Sequence, residues 1–69
     1  MNARIEIAKE IVTRREILGI TQQQLSELSK VNMKTIYFIE QGIGNPSLKT
    51  LENVLDVLGL ALEVNLKKK

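Results

Sequence analysis

Between Ala3 and Leu18 the apolar residues Ile7, Ala8, Ile11, Val12 and Leu18 recur at helical intervals, with Arg4, Glu6, Lys9, Glu10, Arg14 and Glu16 between them. This pattern predicts an amphipathic helix, and Gly19 closes it. Thr21 opens a second helical pattern: Gln24 follows three residues later, so each side chain can reach the other's backbone amide. Leu25 and Leu28 are the apolar positions that this short helix offers to a core. Lys30, Val31 and Asn32 form a tight connection in which Asn32 can cap a third helix, running from about Met33 to Gln41 and stopping at Gly42. Gly44, Asn45 and Pro46 make a turn, and Ser47 caps a fourth helix from Leu48 to Leu58. Its stripe is Leu48, Leu51, Val54 or Leu55, and Leu58, and Gly59 ends it.

After Gly59 the period drops to two. Leu60, Leu62, Val64 and Leu66 alternate with Ala61, Glu63, Asn65 and Lys67, which predicts a strand. A single apolar strand in a helical chain exposes an unpaired edge. The economical remedy is pairing with the same strand of a second copy about a two-fold axis; the alternative is folding against its own helices. The expected architecture is mainly α, four helices with a short C-terminal strand that pairs across a homodimer. Residues 1–59 then form one domain, 60–66 the dimerisation strand and 67–69 a basic tail, which either keeps the chain in solution or touches DNA nonspecifically.

The only two aromatic residues, Tyr37 and Phe38, are adjacent on the third helix. Ile36 and Ile39 lie about 60° apart around the axis and define its inward face. Tyr37 and Phe38 are then each about 130° from the centre of that face, on opposite flanks, and Lys34 and Gln41 about 170° away. All four point outward. Either ring alone can fold back against a neighbouring helix or a dimer partner, but both cannot share one core. An outward surface of lysine, glutamine and aromatic rings on a short helix, after another short helix and a three-residue turn, suits the DNA major groove. There lysine can donate to guanine, glutamine can pair with adenine, and aromatic edges can meet the thymine methyl.

Composition narrows the alternatives. At 69 residues the chain is one domain with a small core. It contains no cysteine and no histidine, so disulfides, thiol chemistry and metal sites built on imidazole or thiolate are excluded. No cofactor or metal is expected. Nor is catalysis, because no acid/base or nucleophile constellation can be assembled. No apolar run approaches the roughly 20 residues of a membrane span, and the N-terminus alternates charges where a signal peptide would be apolar. A cytoplasmic protein is expected. The net charge is +2, but three of the ten basic residues are Lys67, Lys68 and Lys69, leaving seven against eight acids. Bulk charge is therefore neutral on partners, and any nucleic-acid binding must rest on a local face.

The motifs "LG-T-QQLSELS", "V---TI--IE-G" and "NPSLKTL", within about residues 5 to 60, resemble the Xre-type helix-turn-helix regulators, the group of the lambda repressor and Cro proteins. The resemblance implies that Gln22 contacts a phosphate from the start of the second helix. It places Met33, Lys34 and Phe38 at base edges, with Thr35 and Tyr37 near the DNA backbone. Many relatives carry polar residues at the positions of Met33 and Phe38, so apolar contact with thymine or with a flank of the groove is the expectation there. Gln23, Asn32 and Gln41 complete the candidate face. Gln22 to Gln24 can also be simply solvated helix formers. Asn45 and Lys49 flank the start of the fourth helix, whose amides and dipole can hold a phosphate; a solvated lysine is the alternative.

The resemblance also implies that Arg15 and Glu40 form an ion pair joining the first and third helices. The C-terminal strand is similar to that of the antitoxin-type, HipB-like branch, which binds the operator of its own toxin-antitoxin operon. The expected partners are a double-stranded DNA operator, a second copy and a cognate toxin. A phage-type repressor or restriction-modification controller is the alternative within DNA binding. A protein-interaction module without DNA readout is the alternative outside it.

Overall fold

The computed structural model describes residues 3–64, in which four helices follow one another: α1 (Ala3–Leu18), α2 (Gln22–Ser29), α3 (Met33–Gln41) and α4 (Leu48–Val57). Each start after the first is fixed by its cap. The Thr21 hydroxyl accepts the Gln24 N–H while the Gln24 side chain accepts the Thr21 N–H, a complete capping box. Asn32 Oδ1 accepts the Lys34 N–H, and Ser47 Oγ the Thr50 N–H.

The ends divide into two kinds. At the end of α4 Gly59 adopts φ 72°, its N–H donates to Asp56 and the Leu60 N–H to Leu55. These two hydrogen bonds turn Leu60 back onto the core. Gly19 and Gly42 end α1 and α3 with the same positive φ. At the end of α2 the left-handed position is held by Lys30, at φ 63°, the only residue other than glycine with positive φ among those described. A side chain there carries strain that glycine would avoid.

α1 packs on α3, and α2 packs on both α3 and α4. The centre is Ile11, Leu25, Ile36, Val54 and Leu58, all buried, surrounded by Val31, Ile39 and Leu55. Val31, in the turn between α2 and α3, seals the core from that side. The Ser26 hydroxyl donates to the Val31 carbonyl, and the buried Ser29 hydroxyl accepts the Val31 N–H.

Four residues depart from the sequence pattern. Leu28 is 60% exposed, because Leu25 and Ser29 carry the inward face of α2. Those two stand about 40° apart, which leaves Leu28 about 80° from the centre of that face. Leu18 is exposed as well; the reversal at Gly19 lets Ile20 pack on the core instead. Leu48 is exposed at the first position of α4, whose buried residues, Val54 and Leu55, lie in its C-terminal half. Phe38 is half-buried: its ring, open to folding back against a helix or a dimer partner, instead lies beside the chain from Ile43 to Pro46.

Leu60–Val64 forms no ladder within the single chain described; an intermolecular pairing would need a second copy. Leu66 of the expected strand and the tail Lys67–Lys69 lie outside the described residues.

Candidate nucleic-acid interface

The interface is built on a buried polar centre. Arg15 points from α1 toward α3 and grips Glu40 with two prongs, Nε to Oε2 at 2.7 Å and Nη2 to Oε1 at 3.0 Å. Its third donor, Nη1, reaches the Ile20 carbonyl. The Glu40 side chain is 3% exposed and that of Arg15 16%. The hydrogen bond to Glu40 is the main reason the Arg15 pKa lies above its ordinary value; burial opposes it, and the nearby charges of Glu40 and Glu16 add to it. Gln22, the first residue of α2, completes the centre by donating from Nε2 to Glu40 Oε1 at 2.9 Å. No buried side-chain nitrogen or oxygen among the described residues lacks a partner. This network ties the starts of α2 and the end of α3 to α1, so the two helices are held at one relative setting.

On the opposite side of α3, Met33, Lys34, Tyr37 and Gln41 are exposed, and Thr35 and Phe38 half-buried. The Lys34 ammonium lies 5.7 Å from the centre of the Phe38 ring, a distance at which the ring's negative face attracts the cation. Tyr37 and Phe38 rings are tilted at 55° with centroids 5.9 Å apart. Asn32 is exposed but commits its side-chain oxygen to the cap of α3. Thr35, Phe38 and Asn45 line one recess, which brings the loop after α3 against the helix. Gln23 and Lys49 are exposed in the first turns of α2 and α4. Glu40 is the only acid in α3, and the loop from Gly42 to Ser47 has none. The outward surface of α3 and this loop therefore sets no exposed carboxylate against a phosphate.

Three contributors carry no local signature in the sequence. Arg4 donates to the Gly44 carbonyl at 2.8 Å, fastening the α3–α4 loop to α1 across 40 positions. Arg14 donates to the Leu58 carbonyl at 2.8 Å. Lys30 lies in the expected connection, but its left-handed conformation is one that a lysine does not announce. Among the described residues no group of histidine, cysteine, aspartate or glutamate could hold a metal ion, and no helix is long and apolar enough to cross a membrane.

Two short helices joined by a three-residue turn, the second exposing lysine, glutamine and tyrosine, define a helix-turn-helix domain. The chain belongs to the helix-turn-helix family, Xre-like, whose model matches residues 5–65. It is 44% identical over 63 residues to a Haemophilus influenzae protein named as an uncharacterized HTH-type transcriptional regulator, covering 91% of this chain and 64% of that protein. The chain thus spans somewhat less than two thirds of that relative's length. No solved structure matches it significantly.

Proposed function

We propose that this chain is a sequence-specific DNA-binding repressor that recognises an inverted-repeat operator as a homodimer. The observation that carries the reading is the outward face of α3. Lys34, Tyr37, Gln41 and the half-buried Phe38 stand on a helix whose start is already capped by Asn32 and which carries no exposed acid of its own. A helix of this kind fits the major groove, and Lys34 supplies the donor that guanine accepts. Met33 and Phe38 offer apolar contact to thymine. Gln22 keeps one amide hydrogen on Glu40, leaving the second for a phosphate. Gln23, Thr35, Asn45 and Lys49 provide backbone contacts at the edges of α3 and the starts of α2 and α4.

Two recognition helices about 34 Å apart, one turn of DNA, would require a two-fold dimer. The alternation of Leu60, Leu62, Val64 and Leu66 supports pairing of this segment between two copies, and the same feature supports an antitoxin that represses its own operon with a toxin as partner. Footprinting on the DNA upstream of its own gene tests the operator, with two protected half-sites in inverted repeat expected. A chain stopped after Gly59 should sediment as a monomer and lose tight binding, and Leu62→Lys or Val64→Lys should act in the same direction. A truncated chain that remains a dimer with full affinity would move the seam to another surface. Absence of binding to every upstream fragment would favour a protein-interaction module.

A further inference from the structure

Five of the eight acidic residues gather along two adjoining grooves that share Leu55 and the wall Leu60, Ala61 and Leu62. Glu6 and Glu10 of α1, with Glu63, border the larger groove; Glu52 and Asp56 of α4 border the other. Among the described residues, neither groove has a lysine or arginine in its lining. Beneath the carboxylates the surface is apolar, formed by Ile7, Leu55 and Leu60. Glu6 and Glu10, like Glu52 and Asp56, stand four apart on one helix, a spacing at which like charges repel. Leu62 is 39% exposed beside them and Val64 99%. This face is thus both apolar and anionic, and the residues lining it are distinct from those of the DNA-facing surface of α3.

The occupant that fits would join apolar side chains to clustered cations, and the sequence holds one such segment. Leu60 to Leu66 alternates apolar residues and runs directly into Lys67, Lys68 and Lys69. We propose that this C-terminal segment of a second copy occupies the acidic face, its lysines meeting the carboxylates of α1 and α4, with the same contact made reciprocally about the two-fold. The proposal rests on the dimer reading above and adds to it a charged clamp. In an antiparallel pairing about the middle of the segment, Leu66 of one copy lies opposite Leu60 of the other. The lysines that follow then fall opposite the turn at Gly59, which joins the segment to Asp56 and Glu52 of α4 and where the Arg14 guanidinium is already committed to the Leu58 carbonyl. A seam of apolar side chains alone does not weaken with salt, whereas this one does, because the exposed pairs are screened.

Sedimentation of four chains at low and high salt tests this: the full chain, a chain ending at Leu66, the neutralised variant Glu6→Gln/Glu10→Gln/Glu52→Gln/Asp56→Asn, and the neutralised variant ending at Leu66. Each change should raise the dimer dissociation constant about tenfold at low salt and flatten its salt dependence. The two changes combined should cost little more than either alone, since each removes the same contacts. An unchanged constant and salt slope in either chain, or losses that simply add, would overturn the clamp. So would coupling between tail and carboxylates in the melting of the monomer at concentrations far below dissociation, which would place the tail on its own chain. A tight dimer of the chain stopped after Gly59 would instead overturn the underlying dimer reading. Circular dichroism of each chain shows that the four helices persist.

Discussion

The two sides of α3 are built on opposite principles. Its inner side buries a charge: Glu40 is held by Arg15 and Gln22, with Ile36 and Ile39 beside it. Its outer side leaves Lys34, Tyr37 and Gln41 exposed, with the Phe38 ring meeting both the Lys34 ammonium and the Tyr37 ring. The inner residues set where the helix lies, and the outer ones set what it can touch. Substitutions on the two sides should therefore separate cleanly, the first changing stability and the second changing DNA binding.

Arg15→Ala is the sharpest way to break the inner side, because it leaves Glu40 buried without its cation. A loss of about 3–5 kcal/mol in unfolding free energy is expected, enough to unfold much of a domain this small. Glu40→Gln should be milder, and the double variant should cost less than the two single losses combined. Denaturant unfolding of all four proteins measures the coupling; additive losses would mean that the pair acts independently of its geometry.

Lys34→Ala should do the reverse, leaving the melting temperature unchanged while weakening operator binding by about 1–3 kcal/mol. If Lys34 reads a guanine, preference relaxes at one base pair per half-site. If it meets a phosphate, affinity falls evenly across sequences and the salt slope drops by about one unit per contact. Gel shifts on operator variants at several salt concentrations distinguish these outcomes, and unchanged binding would remove Lys34 from the interface.

Gln22 bonds to Glu40 and, in the proposed interface, also meets a phosphate, so Gln22→Ala should blur the comparison. A stability loss of about 1–2 kcal/mol is expected from the hydrogen bond to a buried carboxylate, with a weaker grip on DNA in the same protein. A change in only one of the two measurements would assign Gln22 to that side alone. The smallest effect is expected at the turn that leads into α3. Lys30→Gly should stabilise by about 0.5–1 kcal/mol, since the relief of a left-handed side chain exceeds the added freedom of the unfolded chain. Thermal melting would show it, with operator preference unaltered.

The positions of the four helices depend on signals within a few residues: Thr21 with Gln24, Asn32 and Ser47 at the starts, and Gly19, Gly42 and Gly59 at the ends. Caps and end glycines act through bonds to their own turn, so the order of residues alone determines them. The inward choice of Ile11, Leu25, Ile36 and Ile39 was legible for a similar reason, because helical period is local. What lies inside near the helix ends was decided by the tertiary structure. Leu28 and Leu48 stay in solvent because a helix of eight to ten residues buries only the part its neighbours reach, and Leu18 does so because the chain reverses at Gly19, while Val31 and Ile20 cover the core. The bonds from Arg4 to the Gly44 carbonyl and from Gln22 to Glu40 join positions 40 and 18 apart, beyond any local pattern. The same holds for the five carboxylates that converge from α1, α4 and the chain after Gly59: each is an ordinary solvated acid in the sequence, and only the packing of α1 and α4 sets them along one face.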